Sequence, residues 1–231
     1  LVADVARGDG ADYSVFHIIK LETMEVIGEY QGKATLEQFA SILDSTGREF
    51  GGAMLVVENN SLGISILEKL QDRLYPNLYF SIKGTHEYIS EAQAESMSNA
   101  VPGFTTSSKT RPLIIAKMEE FIRNQLITLY SSRIIGEFKT FIWNNNKAQA
   151  MRSYNDDLVM ALAIACWVKD TALTVNIREM EYKKAMVSSI KSSNNQFSTT
   201  IPGMTGHNKG LSREAKKAKQ NYRDFVWLIK G

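Results

Sequence analysis

One cysteine and three histidines are spread over 231 residues. A lone thiol excludes a disulfide framework and fits a reducing, intracellular setting. Cys166 sits in an apolar stretch and reads as a small core residue. His17, His86 and His207 are scattered; His17 falls in a strand-like run and reads as packed or exposed rather than as a ligand. No run of about 18 apolar residues occurs, so no transmembrane helix and no membrane partner are expected. No basic segment followed by an apolar one opens the chain, so no secretory signal is expected. A phosphate-cradling loop is missing too. The nearest string, "GFTTSSKT" at 103–110, has Ser108 where the motif needs glycine, and it follows Val101-Pro102 rather than a clear strand. There is no internal repeat.

What is there is an ordinary globular mix: 44% hydrophobic and 23% charged residues, enough apolar material for one large domain or a domain with an appendage. The net charge of +2 hides an asymmetry. From Lys169 onward 12 Lys and Arg face 5 Asp and Glu, whereas the first 168 residues hold 15 against 20. An acidic body with a basic end suggests an acidic cluster with a task and a surface able to meet a polyanion. Leu1 is already strand-like, and the chain is expected to be a piece of a longer protein.

Periodicity predicts a short buried strand over Leu1–Ala3 ending in Asp4, and a hairpin from the runs Tyr13–Leu21 and Met24–Tyr30. A helix is expected over Thr35–Leu43, with Thr35 as N-cap. "AMLVVE", 53–58, reads as a strand buried on both faces that ends in Glu58. Ser61–Leu74 has helical spacing and is expected to stop at Pro76. Leu78–Ile82 reads as a strand and 83–111 as polar and irregular. Pro112–Asn124 reads as a helix, Leu126–Tyr130 as strand-like, Ser132–Phe138 as helical and Lys139–Trp143 as extended. "SYNDDLVMALAIACWVKD", 153–170, is the strongest helix, apolar on nearly every side and capped by Asn155 or Asp156. Residues 188–210, rich in Ser, Asn, Thr and Gly, read as a flexible segment, and Arg213–Ile229 as a basic amphipathic helix. The order of elements is α/β with a mixed sheet flanked by helices.

The acids fall at particular places. Asp4 and Glu58 end buried strands; Asp156 and Asp157 open the most buried helix. Strand ends and helix N-termini on one edge of such a sheet converge in one crevice. Carboxylates brought together repel unless cations sit among them. Oxygen-only ligands suit Mg²⁺ or Mn²⁺, and two such ions about 3.5–4 Å apart clamp a phosphodiester for hydrolysis without a catalytic His or Cys. Each acid alone has a plainer reading, as a turn former, an N-cap or a first-turn acid; the conjunction favours a site.

The segments "VADVARGDGADYS", "LVVENNSLG" and "YNDDLVMALAIACWV" resemble, in order and spacing over residues 1–170, the nuclease domain of the large terminase subunit of tailed bacteriophages, in the T-even-like group. The resemblance implies an RNase H-like fold and a metal-dependent endonuclease that cuts concatemeric viral double-stranded DNA during packaging. It implies Asp4, Glu58 and Asp157 as catalytic metal ligands, with Asp156 adjacent and Asp12 as an auxiliary acid; Asp9 has no matching role. It also implies an ATPase motor domain in the full-length chain, here expected to have been removed, together with portal and small terminase partners and a place in the host cell cytoplasm. After residue 170 the resemblance fades, leaving a nuclease core at 1–170 and a basic C-terminal extension at 171–231.

Holding DNA needs cations. Lys109 and Arg111, in a polar loop before a helix, are candidates for phosphate contacts, as are Lys209, Arg213, Lys216, Lys217, Lys219 and Arg223 in the extension. The extension's cations equally suit an acidic packaging partner. Two alternatives stand beside the endonuclease: a non-catalytic module binding DNA or a packaging partner, and a junction resolvase or ribonuclease of the same fold.

Overall fold

The computed structural model describes residues 1–6, 12–84, 87–144 and 147–171. The basic C-terminal extension, with the 188–210 segment and Lys209, Arg213, Lys216, Lys217, Lys219 and Arg223, lies outside the described residues, as do Asp9, His86 and His207.

The central sheet has four strands in the order β3-β2-β1-β4. β1 (Val2–Asp4) runs antiparallel to β2 (Ser14–Lys20) and parallel to β4 (Val56–Val57). β2 continues into β3 (Glu25–Gly32) as the expected hairpin, with Met24 at the turn at φ 52°. The ladder is thus mixed, as the pattern predicts. β4 is shorter than the six-residue run that announces it; single parallel bridges at Leu55↔Leu78 and Glu58↔Phe104 prolong it at both ends.

Successive strand residues point to opposite faces, and the core splits accordingly. Val2, Val15 and Val56 pack on one face with α4 (Thr110–Arg123) and a helix over 157–171, here α6. Leu1, Ala3, Phe16, Leu55 and Val57 pack on the other with α1 (Leu36–Glu49) and α2 (Leu62–Asp72). α1 begins with the expected Thr35 cap, reinforced by a reciprocal bond from Gln38, and runs six residues past the expected end at Leu43. α2 ends at Asp72, with Leu74 at φ 52°, ahead of Pro76. α6 is buried from Leu158 to Cys166 apart from thin exposure at Ala165, as its all-round apolarity demands. Burial pushes the Cys166 thiol far above its ordinary value, consistent with an inert core residue.

Residues 83–111 are more ordered than their polarity suggests. β5 (Phe80–Ile82), β6 (Tyr88–Ile89) and β7 (Ala100–Pro102) form a second sheet, with a one-turn helix α3 (Glu91–Ala94) between β6 and β7. β6 and β7 exist because β5 offers them ladders on both sides, which no local pattern announces. α4 begins two residues before Pro112. Leu126–Tyr130 reaches only a bridge at Thr128 to Glu25. α5 (Ser132–Thr140) leads into a separate hairpin of β8 (Phe141–Asn144) and β9 (Lys147–Ala150). No helix among the described residues is long and apolar enough to cross a membrane.

Candidate metal centre

Register and parity decide where the acids meet. In the parallel pair β1–β4, Val2 lies opposite Val56 and Ala3 opposite Val57, and the Glu58 N–H donates to the Ala3 carbonyl at 2.9 Å. Asp4 and Glu58 therefore end adjacent strands side by side. Both are one step beyond the residues that face α1 and α2, so both turn to the α6 face. Asp157 is the first residue of α6 on that same side.

The electrostatics record the meeting. Burial holds the Asp4 carboxyl well above the usual carboxylate range; repulsion from Glu58, a hydrogen bond with it and repulsion from Asp157 push the same way. The Val5 N–H, donating to Asp4 Oδ1 at 2.8 Å, opposes them. Asp157 is raised too, first by burial and then by Asp12 and Asp156, against two bonds that favour its charge: Oδ2 accepts from the Tyr13 N–H at 2.9 Å and from Asn155 Nδ2 at 3.1 Å. Asp12 is exposed but within electrostatic reach of Asp157. Glu58 Oε1 accepts from Asn60 Nδ2 at 3.0 Å. Gly63 lets α2 start against this strand end, since a Cβ there would lie 1.7 Å from the Glu58 carbonyl oxygen.

Asp156 behaves differently from its neighbour. Its Oδ2 accepts from Arg111 Nη2 at 2.6 Å, while Arg111 Nε donates to the Ala148 carbonyl at 3.1 Å. Arg111 thereby ties α4, β9 and the entry to α6 together. Lys109 is exposed at the start of α4 and carries no ion pair among the described residues.

Sequence reasoning missed Glu137. From α5 its Oε2 accepts the Val159 N–H at 3.1 Å, so an acid from another helix does the capping expected of Asn155 or Asp156. Burial first, then Asp157 and Asp156, push Glu137 up to about 7, against the N–H bonds. His17 completes the support: fully buried on β2, its Nε2 donates to the Leu158 carbonyl at 3.0 Å, and burial lowers its pKa. Its contact with Leu158 lies 141 residues away along the chain, beyond any local pattern.

Among the described residues no three His, Cys, Asp or Glu side chains stand at metal-ligating spacing. Asp4 and Glu58 are hydrogen-bonded, whereas Asp157 acts on Asp4 by charge repulsion alone, so among the described residues the acids converge without forming a closed ring. The donor set nevertheless fits a hard divalent cation. It is all oxygen, and burial together with repulsion from Glu58 and Asp157 disfavours the charged form of Asp4, which a cation among the three would favour.

No family model matches the chain, and no curated protein matches it. Solved structures do. The large terminase nuclease of thermophilic phage G20c with bound magnesium superposes with a TM-score of 0.55 at 20% identity, covering 71% of this chain and 77% of that one. The same nuclease with bound cobalt gives the same figures. The large terminase nuclease domain of Thermus phage P74-26 gives 0.52 at 20% identity, covering 71% and 75%. The fold is therefore that of large terminase nuclease domains, an RNase H-like mixed sheet flanked by helices.

Proposed function

We propose that this chain is a divalent-metal-dependent endonuclease that cuts double-stranded viral DNA during genome packaging. The observation that carries the reading is Asp4: a buried strand-end carboxyl hydrogen-bonded to Glu58 and repelled by Asp157, an arrangement that a cation among the three would relieve. Support comes from the fold shared with phage terminase nucleases, one of which holds magnesium in one structure and cobalt in another. The three motifs resembling the T-even-like group support that finer placement, and with it an ATPase motor in the full-length chain, portal and small terminase partners and the host cytoplasm.

Asp4, Glu58 and Asp157 would hold Mg²⁺ or Mn²⁺, with Asp12 as an auxiliary acid, and two bound ions would supply an activated water and charge neutralisation at the leaving oxygen. The chain's own part is preorganisation. Asp4 and Glu58 stand on adjacent parallel strand ends, whose ladder fixes their separation. The Tyr13 N–H and Asn155 orient the Asp157 carboxylate. Glu137 and His17 hold the turn that carries it. Arg111 engages Asp156 Oδ2, which supports Asp157 rather than Asp156 as the proposed direct ligand. Lys109 and the extension's cations Lys209, Arg213, Lys216 and Lys217 are proposed to hold the phosphate backbone.

One observation favours a non-catalytic DNA- or partner-binding module instead: the ring of acids is not closed. Incubation of the protein with plasmid, four-way junction and RNA–DNA hybrid in Mg²⁺ or Mn²⁺ separates the readings. Cutting of plasmid by wild type and its loss in Glu58→Ala and Asp157→Asn, both still folded, is expected. Wild-type protein that leaves plasmid intact, or an Mn²⁺ soak with no cation near Asp4, overturns the proposal. Preferential cutting of the junction or the hybrid points to a resolvase or ribonuclease.

A further inference from the structure

Beside the acids, between the first turns of α4 and the β8–β9 hairpin, lies a slot of about 250 Å³. One wall is Trp143, an indole left 61% exposed. It is paired across the hairpin with Ala148, whose small side chain leaves the ring face uncovered. Pro112 and Ile115 form the facing apolar wall. Cations mark the rest of the lining. Lys147 is exposed, and its side chain makes no ion pair or hydrogen bond among the described residues. Arg111 uses Nε and Nη2 on Ala148 and Asp156, leaving Nη1 without a partner among the described residues.

The volume is below the roughly 300–1,000 Å³ that encloses a whole drug-sized ligand, and suits a single planar ring. An exposed indole opposite an apolar wall, with unpaired positive charge alongside, is the combination that takes a base by stacking and its phosphate by charge. Every base has a π-face, so such a slot reads no sequence. A fully stacked duplex cannot offer a base to it, whereas an unpaired strand can. Arg111 joins the slot directly to Asp156, next to Asp157, so a strand anchored there runs toward the acids.

We propose that this slot binds one unpaired base of a DNA strand, so that the protein prefers duplexes with a frayed, nicked or overhanging segment near the cut. The choice of ligand rests on the nuclease reading, but the slot is testable without cutting. In EDTA, binding of the full chain is measured by anisotropy on a labelled duplex with a short single-stranded overhang and on the same duplex closed at both ends by loops too tight to release a base. Trp143→Ala is expected to weaken the overhang duplex at least about fivefold, the lower end of what one base–aromatic stack contributes. It is expected to leave the closed duplex within about twofold, since only phosphate contacts remain there. Trp143→Phe is expected to restore most of the loss because it keeps a π-face. Thermal melts check that the variants fold, which the exposure of Trp143 makes the expected result. Equal loss on both DNAs, or no loss on the overhang, overturns the proposal; the second result is also the one expected if the slot receives an aromatic side chain of a protein partner. Wild-type protein that fails to cut plasmid, together with selective loss in Trp143→Ala, overturns the nuclease reading and supports the slot.

Discussion

At the scale of single residues, Asp4 separates a site from a scaffold. A side chain kept for stability weakens the fold when it is replaced. One kept for binding a cation strains the fold while the cation is absent. Asp4 is pushed well above the carboxylate range by burial, Glu58 and Asp157, so its charge is less favourable in the metal-free folded protein than in the unfolded chain. Asp4→Asn keeps the shape and removes that charge. The expected outcome is a metal-free protein that melts at a higher temperature, with no plasmid cutting in Mg²⁺. A lower melting temperature would make Asp4 structural. Glu137 supplies the pH dependence. Its carboxyl moves from 4.5 to about 7 on folding, so the folded state favours the neutral acid. That contribution is full below about pH 4.5 and is lost as pH rises through about 7. After discounting for solvent screening it is on the order of 1–2 kcal/mol. Metal-free wild type is expected to lose stability between pH 5 and pH 8 by about that amount, and Glu137→Gln to flatten the curve there. Parallel curves for the two proteins would show that Glu137 is not the group responsible.

At the scale of elements, the long periodic segments were legible in the chain and the short paired ones were not. α1, α2, α4, α6 and the β2–β3 hairpin follow from apolar spacing, and the strand ends at Asp4 and Glu58 from buried runs closing on an acid. β6, β7 and β9 are two to four residues long and owe their existence to partners, which local propensity does not record. Glu137 carries no local signal, because the N–H it caps belongs to a residue 22 positions further on, in another helix. Gly63 was silent for the same reason: it matters only because α2 starts on top of the Glu58 carbonyl. Gly63→Ala is expected to push α2 off that strand end, costing roughly 1–3 kcal/mol as overpacking does. Because Glu58 moves with its own backbone, metal-dependent cutting is expected to fall more than the loss of folded protein accounts for. Activity per folded molecule, from matched melting and plasmid assays, checks this; an unchanged value would mean that Glu58 tolerates the shift.

At the scale of the whole molecule the question is how a body holding an acidic centre keeps a polyanion against it. The first 168 residues are acidic, with 20 Asp and Glu against 15 Lys and Arg, so on balance they repel DNA. Of the cations near the acids, Arg111 is largely committed to Asp156 and Ala148, whereas Lys109 and Lys147 have no ion pair among the described residues. Two lysines are a weak hold for a duplex, whereas the C-terminal extension carries the chain's positive excess. If that extension tracks the backbone, each cation in contact releases condensed counterions, and the slope of log affinity against log salt steepens by about 0.9 per phosphate neutralised. Replacing Lys209, Arg213, Lys216 and Lys217 together by glutamine is then expected to reduce the slope by up to about 3.6. Plasmid cutting at low salt, where binding saturates, should persist because the acids are untouched. If the extension instead docks an acidic partner, the slope for DNA stays at its wild-type value, and a salt titration of the purified chain on duplex DNA decides between the two.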